Sequence, residues 1–218
     1  MSDLRPSRRR VAIRALILAL AAIAPACGGR GTPPGGPAPT PKLAETVGPM
    51  DIAGQRVLVL PVQTVAGVPQ TRADATRELL FALGERNARV RWIEPDQLRS
   101  ALRRSPGYAD DPDVLPSDAF RHHRERYVVE PLGGLLRRYS ALMDARLVMI
   151  PQSATWLPAA AGDGSGNVRM AAVMIDTRTG NVVWYGEADG PQRPTADASA
   201  LPGAAAALAG RMLVAASN

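Results

Sequence analysis

The sequence predicts an α/β fold. One mixed sheet carries helices packed on it, in the order β-α-β-α-α-β-β-β-α, and ends in a hairpin followed by a helix. Three observations predict it. Short β-branched and leucine runs alternate with helical apolar faces along the first part of the folded region, which argues for parallel pairing. Two apolar runs then meet across a Gly-Asn turn, which argues for an antiparallel hairpin. An alanine-rich stretch over residues 203–216 closes the chain as a helix.

Each element has its own signal. Val57-Leu58-Val59-Leu60-Pro61-Val62 is continuously apolar, as in a strand covered on both faces. Thr71 with Asp74 three residues on makes a capping-box start. Ala75, Leu79, Leu80 and Leu83 then share a helical face, and Asn87 suits a left-handed stop. Val90-Arg91-Trp92-Ile93 is a second strand. Pro95 opens a short helix through Leu98, Ala101 and Leu102, at a position where its missing N–H costs nothing. Residues 105–117 are polar and punctuated by proline, so they read as a loop. Ser117 can cap a helix carrying Phe120, His122, His123 and Tyr127. Leu132, Leu135, Leu136, Tyr139, Leu142 and Met143 give a further helical stretch. Arg146 to Ile150 is a third strand that could run on to Trp156. Residues 158–167 read as a flexible turn, and Val168 to Ile175 as the fourth strand. Asp176 to Asn181 form the hairpin turn, with Gly180 expected at positive φ, and Val182 to Tyr185 return as the fifth strand.

Composition limits the function classes. The chain has 218 residues and is 46% hydrophobic, enough for one compact domain with a real core. Its single cysteine, Cys27, excludes a disulfide framework. The net charge of +6 invites a nucleic-acid reading, but five of the 26 basic groups and one of the 20 acidic groups lie in residues 1–26. The rest of the chain is close to neutral, so nucleic acid is not an expected partner.

That basic segment is an address. Arg5, Arg8, Arg9, Arg10 and Arg14 precede a twelve-residue apolar run, residues 15–26. As a helix this run is about 18 Å long, too short for a hydrocarbon core of about 30 Å. It has the flanks of a signal peptide. Ala24-Pro25-Ala26-Cys27-Gly28 resembles a bacterial lipoprotein box, in which the cysteine becomes the acylated first residue. A cut after A-x-A that leaves a free thiol is the plainer alternative. Ser7-Arg8-Arg9-Arg10-Val11 resembles a twin-arginine leader, but Val11 and Ala12 stand where Phe and Leu are usual, so general export is expected. Gly28 rather than Asp follows the cysteine, and by resemblance this implies the outer membrane. Half or more of residues 28–49 are glycine or proline, which suits a leash and not a core. The expected organisation is a signal peptide at 1–26, an acylated cysteine with its tether at 27–50, and a mixed α/β domain at 51–218.

Four motifs in order carry a family resemblance. They are the strand VLVLPV, the segment Val90-Arg91-Trp92-Ile93-Glu94-Pro95-Asp96-Gln97-Leu98, the segment Met143-Asp144-Ala145-Arg146 leading into Leu147-Val148-Met149-Ile150, and the hairpin Met174-Ile175-Asp176-Thr177-Arg178-Thr179-Gly180-Asn181-Val182-Val183-Trp184. Over about residues 56–216 the chain resembles the exported-lipoprotein superfamily of the curli-secretion lipoprotein CsgG, the penicillin-binding-protein activator LpoB and the amino-terminal domain of TolB. Met143-Asp144 departs from the family's Leu-Gly. No pair of ten-residue segments shows the lipid-facing alternation of a transmembrane hairpin, so the secretion pore is not implied. The resemblance implies a non-catalytic, periplasm-facing outer-membrane lipoprotein that docks, assembles or activates other envelope proteins. A subunit of an oligomeric secretion complex, and hence a homo-oligomer, stays open.

Candidate chemistry is sparse. Asp118, His122, His123 and Glu125 are the one group worth testing as a metal site. His122 and His123 point about 100° apart on a helix, so a solvated charged face explains them as well. Asp163-Gly164-Ser165-Gly166-Asn167 lacks the glycine and glutamate that a calcium loop needs further on. A cell-wall hydrolase would need two carboxylates about 5–10 Å apart, and the spare acids Glu130 and Glu187 are not brought together by any motif. No enzyme activity, cofactor or metal is therefore expected. The expected site residues are Cys27 for lipidation, with Trp184 and Arg178 as a candidate partner surface. Core packing is the competing role for Trp184, as for Trp92 and Trp156.

Overall fold

The structure is a computed structural model, and it describes residues 49–116, 126–160, 162–195 and 197–215. It contains β1 (Arg56–Val59), β2 (Thr64–Ala66), α1 (Arg72–Arg86), β3 (Arg91–Ile93), α2 (Pro95–Arg104), α3 (Leu132–Met143), β4 (Leu147–Pro158), β5 (Ser165–Asp176), β6 (Asn181–Asp189), β7 (Arg193–Pro194) and α4 (Ala200–Met212). The sheet runs β3-β1-β4-β5-β6, with β2 on β4 and β7 on β5. Pairing is parallel between β1 and β3 and between β1 and β4. It is antiparallel through β4-β5-β6. The expected mixed sheet is therefore present, with two short strands added to the expected order.

Both faces of the sheet are covered, which explains the continuous apolar run in β1. Side chains alternate along a strand. Val57 and Val59 accordingly pack with Ala75, Leu79 and Leu83 of α1 and with Leu201, Leu208 and Met212 of α4. Leu58 and Leu60 face the other way, against Leu98 of α2 and Leu132, Leu136 and Tyr139 of α3. Among the described residues, the buried members of both clusters lie between Ile52 and Leu213. No helix among the described residues is long and apolar enough to cross a membrane.

Several local expectations are met. Thr71 and Asp74 form a reciprocal capping box at the start of α1. Pro95 opens α2. Gly180 has φ +75° in the hairpin turn. The third strand does run past Trp156, to Pro158.

Others are corrected. Leu60, Pro61 and Val62 are buried but lie beyond β1; the Val62 N–H is taken by the Thr76 hydroxyl at 3.0 Å instead of by a strand. Asn87 is extended, with φ −150°. Its side chain is used elsewhere: Nδ2 donates to the Val214 carbonyl at 3.3 Å and Oδ1 accepts from the Arg89 N–H at 3.1 Å. The left-handed cap sits instead at Asp144, φ 48°, after α3. Residues 165–167 belong to β5 rather than to a turn. The closing helix starts at Ala200 and ends at Met212. The stretch from Ser117 through His122 and His123 to Glu125 lies outside the described residues, as do Cys27 and the whole leader and tether up to residue 48.

Trp184 is the largest fully buried side chain, at 1% exposure. It packs in the cluster beneath α1 and α4. This removes its ring from the partner surface expected for it. The cause is register: Trp184 pairs with Met174 on β5, and its side chain points to the face that α4 covers.

Candidate docking site

The topology leaves a crevice at one place. The connection that follows β1 crosses one face of the sheet through α1, and the connection that follows β3 crosses the other through α2 and α3. Neighbouring strands whose connections part in this way leave an opening outside their carboxyl ends. A cleft of about 850 Å³ lies there. Pro61 follows the end of β1; Trp92, Glu94 and Pro95 lie at the end of β3 and the start of α2; Arg72, Arg77, Leu80 and Phe81 come from α1.

Its apolar part is unusual for a surface. Phe81 is 68% exposed, while its neighbours Leu79 and Leu83 on α1 are fully buried. A residue two positions from Leu79 is turned about 200° around the helix, so Phe81 cannot follow it into the core. It stands instead with Leu80 and Trp92, both packed against the edge of the core. Val114, next to the lining Asp113, is exposed as well.

Ion pairs fix the polar side of the cleft. Arg99 donates to Asp96 at 2.6 Å and to both carboxylate oxygens of Asp113, at 2.7 and 3.2 Å. Arg72 donates through Nε to the Val62 carbonyl at 2.8 Å and through its terminal nitrogen to the Asp113 carbonyl at 2.8 Å. These bonds clamp the loop at Asp113 across α1 and α2. The Tyr139 hydroxyl holds the same loop from α3, donating to the Asp110 carbonyl at 2.6 Å. Burial pushes the Tyr139 phenol well above its ordinary range. Hydrogen bonds from Arg99 hold the Asp113 carboxyl below the usual carboxylate range, and Asp113 in turn raises Arg99.

The arrangement disfavours a phosphate or other anion. The two helix N-termini at the cleft carry their own acids, Asp74 on α1 and Asp96 on α2, and Glu94 precedes α2. Arg77 is turned to Asp74 at 3.3 Å. What is left is an apolar surface of Phe81, Leu80, Trp92 and prolines inside a rim whose three arginines are all paired with acids. That combination fits an apolar side chain presented by a polypeptide.

The remaining expected residues lie elsewhere. Arg178 is exposed on the turn between β5 and β6, at the opposite end of the sheet from the cleft. Glu130 receives the Gly134 N–H at 2.7 Å and pairs with Arg137. Glu187 lies six residues along β6 from Asn181 and accepts from the Tyr185 hydroxyl at 2.6 Å. Residues 126–128, just before Glu130, dock at the Asn181 end of β6. The two acids thus belong to opposite ends of that strand. Among the described residues, no group of three or more His, Cys, Asp or Glu side chains is placed to hold a metal ion.

Sequence reasoning missed Phe81. The signal was present: on a helix whose face is Ala75, Leu79 and Leu83, it is a large aromatic off that face.

No family model matches the chain, and no curated protein matches it. Solved structures do. The LpoB carboxyl-terminal domain from Escherichia coli matches at 19% identity and TM-score 0.40, covering 64% of this chain and 84% of that one. The PelC dodecamer from Paraburkholderia phytofirmans matches at 16% identity and TM-score 0.42, covering 78% and 96%. A lipoprotein from Neisseria meningitidis matches at 14% identity and TM-score 0.38, covering 66% and 86%. The ligand of the cleft has to be argued from its own residues.

Proposed function

We propose that this protein is an outer-membrane lipoprotein, anchored through Cys27, whose α/β domain docks an envelope protein in the cleft between α1 and the start of α2. The leader, the lipobox-like sequence and the proline-rich leash support the anchor. The observation that carries the docking reading is Phe81: a phenyl ring 68% exposed at the mouth of an 850 Å³ cleft, beside Leu80 and Trp92. Exposed aromatics over an apolar pocket are the residues on which protein interfaces concentrate their energy. The clamped Asp113 loop keeps the cleft open before binding, which lowers the ordering cost of association.

Crosslinking in intact cells followed by pull-down of the full chain tests this. Phe81→Ala, which removes an exposed ring, is expected to lose the partner adduct while leaving the melting temperature unchanged. An undiminished adduct would give the docking role to another surface. The anchor is tested separately: wild type should take up a palmitate analogue and fractionate with membranes, and Cys27→Ala should do neither.

A further inference from the structure

The other end of the sheet carries a row of arginines. Arg91 opens β3 and pairs in register with Arg56, which opens β1. The next pair on β1 and β4 is Val57 with Leu147, so Arg146 stands beside Arg56 at the start of β4. Leu147 pairs with Asp176, the last residue of β5, which leads into the turn bearing Arg178. Arg126 follows, its carbonyl accepting from the Val182 N–H at 3.0 Å at the start of β6. Arg89 sits just before β3, and its carbonyl accepts from the Gly54 N–H at 2.9 Å. The row thus spans the full width of the sheet at its lower edge, about 5 Å per strand.

Internal structure accounts for part of this charge. Arg56 donates to the Met143 carbonyl at the end of α3, at 2.8 Å, and lies 3.9 Å from Asp144. Arg146 pairs with Asp176. Asp51, Glu85 and Glu130 are further acids at this end; Asp51 accepts from the Ala53 N–H, and Glu130 pairs with Arg137. Arg89, Arg91, Arg126 and Arg178 are exposed, and none of them makes an ion pair among the described residues. Tyr127 and Val129 stand beside them at 61% and 55% exposure.

The tether joins the fold at this same end. Met50 bonds alongside Met212 and Val214, next to the carboxyl end of α1, where Arg86 donates to the Leu213 carbonyl at 3.1 Å. Six residues later the chain enters β1 at Arg56. The cleft lies at the opposite end, outside the carboxyl ends of β1 and β3.

We infer that this arginine edge is a membrane-facing surface that rests on anionic phospholipid headgroups and turns the docking cleft away from the bilayer. The inference deepens the lipoprotein reading and rests on it for orientation. Charge complementarity and the position of the tether both point to the bilayer as the occupant. Arginines near an anionic surface bind it additively, and an exposed Tyr and Val suit the headgroup boundary.

The test uses residues 28–218, which lack the leader and any acyl chain. They are sedimented with vesicles of phosphatidylcholine, with or without phosphatidylglycerol, at low and high salt. Binding is expected only with phosphatidylglycerol and is expected to fall as salt screens it. Arg91→Gln with Arg178→Gln should lower the partition about tenfold or more. The charge-matched pair Arg169→Gln with Arg193→Gln, at the other end and outside the cleft, should change it by less than about twofold. Circular dichroism confirms that both pairs fold. No binding to the anionic vesicles overturns the proposal. So does equal loss for the two pairs, which would mean diffuse attraction without a face. Loss of an envelope-protein adduct by the Arg91 and Arg178 variant, with vesicle binding unchanged, would assign the edge to an acidic protein instead. Failure of the anchor itself is read independently, by acyl labelling of Cys27.

Discussion

Asp176 organises the lower end of the hairpin through a single carboxylate. Its side chain is 6% exposed, pairs with Arg146 and accepts the Arg178 N–H at 3.0 Å. Hydrogen bonds from Arg146 are the main reason its carboxyl sits below the usual range. A carboxylate depressed in the folded state contributes stability above the unfolded pKa, near 4, and loses it as pH falls through the folded value. Asp176→Asn is therefore expected to cost about 1–3 kcal/mol at neutral pH. The gap from wild type should close on acidification below about pH 4. Denaturation midpoints across that range check it, and a gap that does not change with pH would remove the carboxylate from the account. Four residues on, Gly180 holds φ +75°. Gly180→Val should cost about 1–2 kcal/mol or more, because a β-branched residue tolerates that conformation poorly. Trp184→Ala should cost about 3–5 kcal/mol, since its ring is enclosed, and the denaturant midpoint should drop accordingly.

At the scale of elements, α4 depends on a close approach that the sequence does not announce. A Cβ on Gly190 would come within 2.7 Å of the Ala204 backbone nitrogen. Gly190→Val should therefore push α4 off the sheet and lower the melting temperature by several degrees, about 1–3 kcal/mol in stability. An unchanged melting temperature would mean that α4 shifts freely. Gly190-Pro191 looks like an ordinary turn, because the helix it meets lies further along the chain. The same limit explains the other differences. β1, α1, α2, α3 and the β5-β6 hairpin were legible because each carries its own periodicity, cap or turn. β2 and β7 were not, because strands of three and two residues exist only where β4 and β5 extend far enough to pair them. Gly164-Ser165-Gly166 reads as a loop, yet Gly166 is a strand position kept small by the Trp156 ring. Asn87 suits a left-handed stop by its local sequence, because nothing local shows that the Val214 carbonyl takes its amide.

At the scale of the whole molecule, the two ends of the sheet differ in chemistry. One end gathers helix N-termini, neutralised arginines and an exposed phenyl ring around a cleft. The other gathers exposed arginines, four of which make no ion pair among the described residues, and the point where residue 50 enters the fold. Neither arrangement is legible in sequence. The cleft depends on β1 lying between β3 and β4, and the arginine row depends on the register that aligns Arg91, Arg56 and Arg146. The proposed anchor rests on local composition alone, since a leader is recognised from the residues that form it. Shortening residues 30–44 should leave the melting temperature unchanged and weaken function in cells once the leash no longer reaches the partner. A fall of several degrees would show that this segment contributes to the fold.

The most direct measurement places a photo-crosslinking side chain at Phe81 in one full-length protein and at Arg178 in another, in intact cells. The account predicts a discrete protein adduct from position 81, and lipid adducts without a discrete protein from position 178. A discrete protein adduct from position 178 with none from position 81 would contradict it.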